Sequence, residues 1–325
     1  MRFPRALLAV VAAAATAVPV SIAVTAHAAT SDDPPRVAQS DFYVNPESNA
    51  YKWLDRNPGH HDADAIRTHL AEQATANWYG DWVNDIPLSQ YVADAESAGR
   101  MPIVVAYNMY ERDCGGQSQG GADTPDLYRQ WIDRFAADLG DRPAIVVLEP
   151  DAVAQLLAGC LAEPDVRTEL LGYAVDALAA TAATVYIDAG NYEWPTDPAQ
   201  VAATLEDIGV QQVRGFALNT SNHYTTADSV TRAAAINAHL SAPAGFVVDT
   251  SRNGSGKTQS GPMSWCNPVG ATLGEHSTYS GGPADAHLWL KVPGDSDGDC
   301  GYGSGIPAGT FSEKLAMALI TGDYV

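Results

Sequence analysis

The chain has 325 residues, with 18 basic and 39 acidic side chains and a formal net charge of −21. This length suits one large α/β domain or two smaller ones, so the size of the core is no constraint. The charge disfavours nucleic acid or an anionic membrane surface as a partner, but it leaves neutral ligands such as sugars open.

Residues 1–28 have the pattern of a secretory signal peptide. Arg2 and Arg5 precede a stretch of alanine, valine and leucine, and residues 26–28 form a small-x-small cleavage motif. A membrane anchor is the alternative interpretation, but Pro19 and the many alanines make a poor span. The sequence therefore predicts cleavage after Ala28 and export.

The rest of the chain is predicted to be one extracellular domain. Residues 29–39 are typical of a short disordered lead-in, and no later linker, repeat or membrane-spanning run interrupts residues 40–325. Four cysteines remain, and none has the CxxC-like spacing of a metal site. An even number in an exported protein favours two disulfides, for which three pairings are possible. The four are Cys114, Cys160, Cys266 and Cys300.

Short apolar runs alternate with amphipathic segments. The runs predicted to be buried strands are 101–107, 144–151, 184–190, 213–219, 244–251 and 285–292. The segments predicted to be helices are 126–140, 168–181, 197–208 and 228–240. In the first of these helices, Leu127, Trp131, Phe135 and Leu139 form the predicted apolar stripe. Asp197 followed by Pro198 is typical of a helix start. The alternation favours a parallel sheet, with a barrel as its closure.

Acidic residues follow several of the predicted strands. They are Asp113, Asp151, Asp188, Asp249, Asp295 and Asp297. Any one of them could be a helix N-cap, which is the simpler explanation. However, the carboxyl ends of barrel strands form the catalytic face, so convergence of this many on one rim favours a functional site.

The acidic stretch DSDGDC, residues 295–300, does not fit an EF-hand calcium loop. Such a loop needs glycine at its sixth position and glutamate at its twelfth, where this chain has Cys300 and Ile306. A pair of carboxylates for glycoside hydrolysis fits better. Asp151 would be the protonated acid, with Asp113 nearby to raise its pKa, and Asp297 would activate water.

Other chemistries are disfavoured by missing motifs. The chain has no GxSxG elbow and no HExxH, and its eight histidines are not at ligand spacing. The glycine-rich segment 115–121 lacks the lysine of a phosphate loop. We therefore expect no metal and no cofactor.

The motifs together resemble those of glycoside hydrolase family 6, the β-1,4-glucanases of the endoglucanase and cellobiohydrolase type. The resemblance covers roughly residues 40–320 and follows the family's order. Its motifs are AYNMYERDCGG (106–116), VVLEPDAV (146–153), VYIDAGNYEW (185–194), FVVDTSRNG (246–254), WCNPVG (265–270) and LWLKVPGDSDG (288–298).

The resemblance implies a distorted, incomplete parallel β/α barrel of the family 6 cellulase type, as a single catalytic domain with inverting, single-displacement chemistry. It implies that Asp151 is the general acid, that Asp113 supports its proton, and that Asp297 is the base. It also implies the pairs Cys114–Cys160 and Cys266–Cys300.

Eight further residues are implied to bind substrate. Tyr107 would lie beneath the distorted sugar, and three tryptophans would stack on sugar faces, with core packing as the alternative for each. The eight are Trp78, Tyr107, Asn191, Trp194, Asn222, Trp265, Lys291 and Asp295. Two positions depart from the family pattern: Asn191 replaces a usual histidine, and Asp295 replaces a frequent glutamate.

The short segment between Asp299 and Gly309 favours an open cleft and internal cleavage. We therefore expect a secreted, monomeric endo-β-1,4-glucanase acting on a β-1,4-glucan. An exo-acting cellobiohydrolase and a catalytically weak glycan-binding protein remain the alternatives.

Overall fold

The computed structural model describes residues 41–325, so the predicted signal peptide and lead-in lie outside the described residues. Its centre is an eight-stranded sheet. The strands are β1 (Asn77–Tyr79), β2 (Ile103–Ala106), β3 (Ile145–Leu148), β4 (Thr184–Asp188), β5 (Gly215–Leu218), β6 (Gly245–Asp249), β7 (Thr278–Tyr279) and β8 (Ala286–Leu288). Strands β1 to β6 and β8 pair in parallel, and β7 is added antiparallel at the β8 edge.

The predicted incomplete barrel is confirmed. The sheet order is β1-β2-β3-β4-β5-β6-β8-β7, so within residues 41–325 no ladder joins β1 to β8. The two strands nevertheless lie close, because the amide of Ala76 donates to the carbonyl of Trp289 at 2.8 Å. The curled sheet is thus a half-barrel, and the carboxyl ends of its parallel strands lie along one rim.

Helices surround the sheet. They are α1 (Asn49–Arg56), α2 (Ala63–Ile66), α3 (Leu88–Ser97), α4 (Pro125–Leu139), α5 (Ala152–Ala158), α6 (Pro164–Ala179), α7 (Pro198–Asp207), α8 (Thr226–Asn237) and α9 (Glu313–Thr321). Side-chain caps explain several starts. Asp197 accepts from the amide of Ala199, as its sequence predicts, and Thr225 forms a capping box with Asp228.

The sheet is buried on both faces, which explains its continuous apolar runs. Along β3, Ile145 and Val147 point to the inside of the half-barrel, and Val146 and Leu148 pack against the helices. All four side chains are fully buried. This places the core on both sides of each short strand and leaves the loops at the rim for polar residues.

Three details differ from the sequence prediction. Strands β1 and β7 were not predicted, because each is too short to show a pattern. The strands also end earlier than predicted. On α4, Leu127 is 43% exposed and the buried residues are Tyr128, Ile132, Phe135 and Leu139. A strict four-residue repeat drifts around a helix of about 3.6 residues per turn, so it cannot stay on one face.

Two disulfides connect the rim loops. Cys114–Cys160 links the loop after β2 to the residues beyond α5, and Cys266–Cys300 links two loops at the other side of the sheet. Among residues 41–325, the helices are all too short or too polar to cross a bilayer.

Candidate active site

A large cleft opens at the rim of the half-barrel, with a volume of about 1170 Å³. Its walls include every predicted catalytic and substrate-binding residue. These are Trp78, Tyr107, Asp113, Asp151, Asn191, Trp194, Asn222, Trp265, Lys291, Asp295 and Asp297. Trp78 lies in β1 and the others lie in loops after different strands, and the parallel sheet brings them together because its carboxyl ends share one edge.

Asp151 lies where the chain leaves β3 and enters α5. Its φ of 68° is in the left-handed region, which turns the side chain into the cleft, and Glu149 two residues earlier has a φ of 48°. The amide of Asp151 donates to Asp188 Oδ1 at 3.0 Å. Burial, Asp188 and Asp113 together raise the pKa of the Asp151 carboxyl well above its ordinary value. This environment favours the protonated form of the carboxyl, which faces the cleft.

Asp188 and Asp249 have a different role from the cleft carboxylates, and neither caps a helix. Asp188 Oδ1 also accepts from the amide of Gly190, at 3.1 Å. Asp249 accepts backbone amides from both neighbouring loops, those of Ser221 at 2.8 Å and Lys291 at 3.0 Å among them. Both are buried at the strand ends, where they hold the rim loops in place.

Asp113 belongs to the glycine-rich loop after β2. Its Oδ2 accepts from the amide of Ser118 at 2.6 Å, and its Oδ1 accepts from Gln155 of α5 at 3.4 Å. Burial raises the pKa of Asp113, opposed by the Ser118 amide and by Arg112. The Asp113 carboxyl is therefore held by neighbours on both sides, and its role in supporting a proton on Asp151 stays a prediction.

Glu149 is a site residue that the sequence interpretation missed. Its fully buried carboxyl accepts the amides of Asn108 and Met109 at 3.0–3.1 Å, which fixes the chain between Tyr107 and Asp113. Burial raises its pKa to about 7. In the sequence, the only sign of this role was the position of Glu149 at a strand end, two residues before the predicted acid.

Asp297 has the opposite environment from Asp151. Its Oδ2 pairs with Arg252 at 2.7 Å and accepts the amide of Asn267 at 2.9 Å, and its Oδ1 pairs with Lys291 at 3.2 Å. Burial opposes ionisation, but the two cations outweigh it and hold the pKa of Asp297 below its ordinary range. The carboxylate is therefore ionised at neutral pH, and it is a weak base.

Asp295 is nearly buried beside the same loop. Its Oδ2 accepts from Asn49 of α1 at 2.9 Å, whereas its Oδ1 has no hydrogen-bond partner among the described residues. Burial raises the pKa of Asp295 to about 7, although Lys291 lowers it in part. The residue therefore has one oxygen free to accept a hydrogen bond.

Aromatic and basic side chains form one end of the cleft. Trp78 meets the ring of Tyr107 edge-on at 5.2 Å and donates to the carbonyl of Leu290. Trp82, which the sequence interpretation did not single out, is 41% exposed and also lines the cleft. The guanidinium of Arg112 lies over the rings of Tyr107 and Trp82, at 4.5 and 5.5 Å. This end can bind an apolar sugar face.

Asn191, Trp194 and Trp265 line the cleft from other loops. Asn191 Oδ1 accepts the amides of Glu193 and Trp194, so this side chain holds its own loop, whereas its Nδ2 has no partner among the described residues. Gly190 has a φ of 81°, and a Cβ there would lie 2.2 Å from the Trp194 carbonyl. Trp194 and Trp265 are both half-buried, so part of each ring faces the cleft.

The residues that could hold a metal ion lie outside the cleft. Among residues 41–325, the one group of three or more histidine, cysteine and acidic side chains with converging donor atoms is His60, His61 and Asp62, outside the cleft walls. The expectation that the histidines form no cluster is therefore wrong for this pair. Consecutive residues do not match a helical ligand spacing, and only the ring directions bring them together.

Comparison with known proteins gives a consistent result. The family model for glycosyl hydrolases family 6 matches residues 37–322. Endoglucanase 1 of Streptomyces halstedii is 41% identical over 321 residues, covering 95% of this chain and 97% of that protein. Exoglucanase 3 of Agaricus bisporus is 29% identical over 270 residues, covering 70% of this chain and 61% of that protein.

A solved structure has the same fold. Endoglucanase Cel6 from Mycobacterium tuberculosis, in complex with methyl-cellobiosyl-4-deoxy-4-thio-β-D-cellobioside, superposes with a TM-score of 0.80. It is 37% identical and covers 88% of this chain and 98% of that chain. Because the family model spans nearly all of the described residues, the chain belongs to glycosyl hydrolases family 6.

Proposed function

We propose that this protein is a secreted, inverting endo-β-1,4-glucanase that hydrolyses internal bonds of cellulose or a related β-glucan. The single observation that carries the proposal is the environment of Asp151, whose carboxyl faces the cleft with a raised pKa while Asp297 in the same cleft has a lowered one. Inverting hydrolysis needs one protonated and one ionised carboxyl of this kind.

The proposed reaction is a single displacement. Asp151 gives its proton to the glycosidic oxygen as the bond to the anomeric carbon breaks, and a water molecule attacks that carbon from the opposite face. The negative charge of Asp113 repels the anionic form of Asp151 and so keeps the proton on Asp151. Asp297 accepts the water's proton in this scheme. Because its pKa is low, we propose that it acts through intervening water and chiefly as a fixed negative charge.

The aromatic side chains of the cleft support a polymeric substrate. Trp78, Trp82, Trp194 and Trp265 all line the cleft. Export rests on the predicted signal peptide at residues 1–28 and agrees with two disulfides. A single catalytic domain over residues 40–325, acting as a monomer, completes the proposal.

Two measurements on purified protein test this function. Proton NMR in the first minutes of hydrolysis of a β-linked cello-oligosaccharide should detect the α-anomer as first product. An initial β-anomer would contradict the inverting mechanism.

The second measurement follows carboxymethylcellulose. The viscosity of its solution should fall steeply while only a few reducing ends are released. A slow fall per reducing end would indicate exo-action, and no hydrolysis at all would indicate a glycan-binding protein.

A further inference from the structure

A compact set of nitrogen and oxygen donors lies on the surface away from the cleft. His60, His61 and Asp62 occupy the turn between α1 and α2, and their donor atoms all lie within 4.8 Å of one another. Glu313, the first residue of α9, is a neighbour of Asp62, because burial and the Asp62 carboxyl together raise its pKa. Two neighbouring carboxylates repel each other unless a proton or a cation lies between them.

We propose that His60, His61, Asp62 and Glu313 bind a divalent transition-metal ion, with Zn²⁺ as the best fit. Two imidazole nitrogens and two carboxylate oxygens are ligands that zinc takes in proteins. Calcium and magnesium prefer sites made of oxygen alone, so the two histidines argue against them. The proposal departs from the expectation that this protein binds no metal.

The donor distances fit a tetrahedral ion. Zinc lies about 2.0–2.1 Å from its nitrogen and oxygen ligands, so tetrahedral donors are about 3.3 Å apart. Asp62 Oδ2 lies 3.0 Å from His61 Nε2 and 3.7 Å from His60 Nδ1. These two distances lie on either side of the ideal value, so small side-chain rotations are sufficient to form the site.

One existing contact of His60 competes with metal binding, and another holds the ring in place for it. The amide of Asp62 donates to His60 Nδ1 at 3.3 Å, a long hydrogen bond that the metal would replace. The ring of His60 meets Trp53 of α1 edge-on at 5.1 Å, which restricts its orientation. A ligand ring held by its neighbours loses less freedom on binding.

Binding here would tie the turn after α1 to the start of α9. Just before α9, Ser312 donates to the carbonyl of Gly294, and Phe311 forms an isolated bridge with Asp295. An ion on Glu313 would thus strengthen the folded state near the loop that continues to Asp297. It would act on stability by mass action and take no part in bond cleavage.

The test uses chain without a histidine tag, stripped of metal with EDTA and titrated with ZnCl₂ by calorimetry. The wild type should bind one Zn²⁺, and its melting temperature should rise with added zinc. His61→Asn removes one ligand from a ring that is 82% exposed, so the variant should fold. We expect its affinity for zinc to fall about tenfold or more. His239→Asn, at another exposed histidine, is the matched control and should bind as the wild type does.

Two further variants locate the site. Glu313→Gln should also weaken zinc binding about tenfold. Glu275→Gln should have no effect; it disrupts the separate pair between Glu275 and His287, whose atoms are 2.6 Å apart. Equal zinc affinity in the wild type and His61→Asn, or a loss only in Glu275→Gln, would overturn the proposal. Hydrolysis of carboxymethylcellulose should be unchanged in His61→Asn, which keeps this result separate from the proposed function.

Discussion

At the scale of single residues, the cleft contains carboxyl groups with opposite pKa shifts. Burial and two neighbouring acids raise the pKa of Asp151, whereas Arg252 and Lys291 lower that of Asp297 despite its burial. Two like groups with divergent pKa values are typical of acid and base assignments in hydrolases. The two environments thus favour a proton on Asp151 and a negative charge on Asp297 before any substrate binds.

Replacing Asp151 tests the proton donor directly. We expect Asp151→Asn to fold normally and to lose about 10²- to 10⁴-fold in kcat on β-glucan, because an amide cannot protonate the leaving oxygen. An aryl glycoside with a good leaving group should lose much less, since it needs little protonation. Turnover of cellulose near the wild-type rate would remove Asp151 from the mechanism.

Lys291 offers a test of the ionised carboxylate through pH. Its ammonium lies 3.2 Å from Asp297 Oδ1 and helps to lower the pKa of that group. Lys291→Met should therefore raise the pKa of Asp297. If hydrolysis needs ionised Asp297, the acidic limb of the kcat/KM profile should move to higher pH, with the basic limb unchanged. An acidic limb that stays in place would mean that Asp297 does not control the reaction's pH dependence.

At the scale of elements, loops at the strand ends carry the chemistry, and covalent links hold them. Cys114 adjoins Asp113 and is joined to Cys160, beyond α5, whose N-terminus follows Asp151. The disulfide therefore connects the two loops on which the acid and its neighbour lie. The loop after β2 is also held by the buried carboxyl of Glu149.

Removing Cys114–Cys160 should affect both stability and activity. The bond closes a loop with a sequence separation of 46, for which the chain-entropy model gives about 4 kcal/mol of stabilisation. We expect the double variant Cys114→Ala/Cys160→Ala to lose about that much by urea denaturation and to have a lower kcat. The comparison is reduced wild type, which also lacks Cys266–Cys300. Unchanged stability and kcat in the double variant would mean that neighbouring contacts alone hold these loops.

At the scale of the whole molecule, buried acids and a net charge of −21 determine how stability depends on pH. Burial raises the pKa of Glu149 and Asp295 to about 7, above the values of about 4.3 and 3.9 expected when unfolded. Both groups hold protons more tightly when folded. Their contribution is full below the unfolded values and is lost as pH rises through about 7. The pKa of Asp297 is shifted the other way, so its contribution is full above about pH 4 and is lost only as pH falls below that value.

We therefore expect the free energy of unfolding to fall between about pH 5 and about pH 8, as measured by urea denaturation at several pH values. Growing negative charge adds to this trend through self-repulsion. Glu149→Gln cannot titrate, so its stability should fall less steeply over the same range. A wild-type stability that rises with pH over this range would contradict the expected direction.

The sequence by itself determined six of the eight strands, the incomplete barrel, the family and the predicted site residues, all of which line the cleft, although it missed Trp82. Buried parallel strands require continuous apolar runs, and the loops that follow them carry motifs long enough to recognise. Very short strands such as β1 and β7 left no such pattern. Helix α4 was found, but its buried face was not, because a four-residue repeat leaves that face undetermined.

Only the tertiary structure decided what each carboxylate does. Asp188 and Asp249 resembled the cleft aspartates in sequence, but they hold backbone amides behind the rim. Arg252 suppresses the basicity of Asp297 from a loop distant in the chain, and Glu313 at the start of the last helix is a neighbour of Asp62. A pKa or a ligand set depends on burial and on the neighbours in space. Those neighbours come from different parts of the chain, and only folding brings them together.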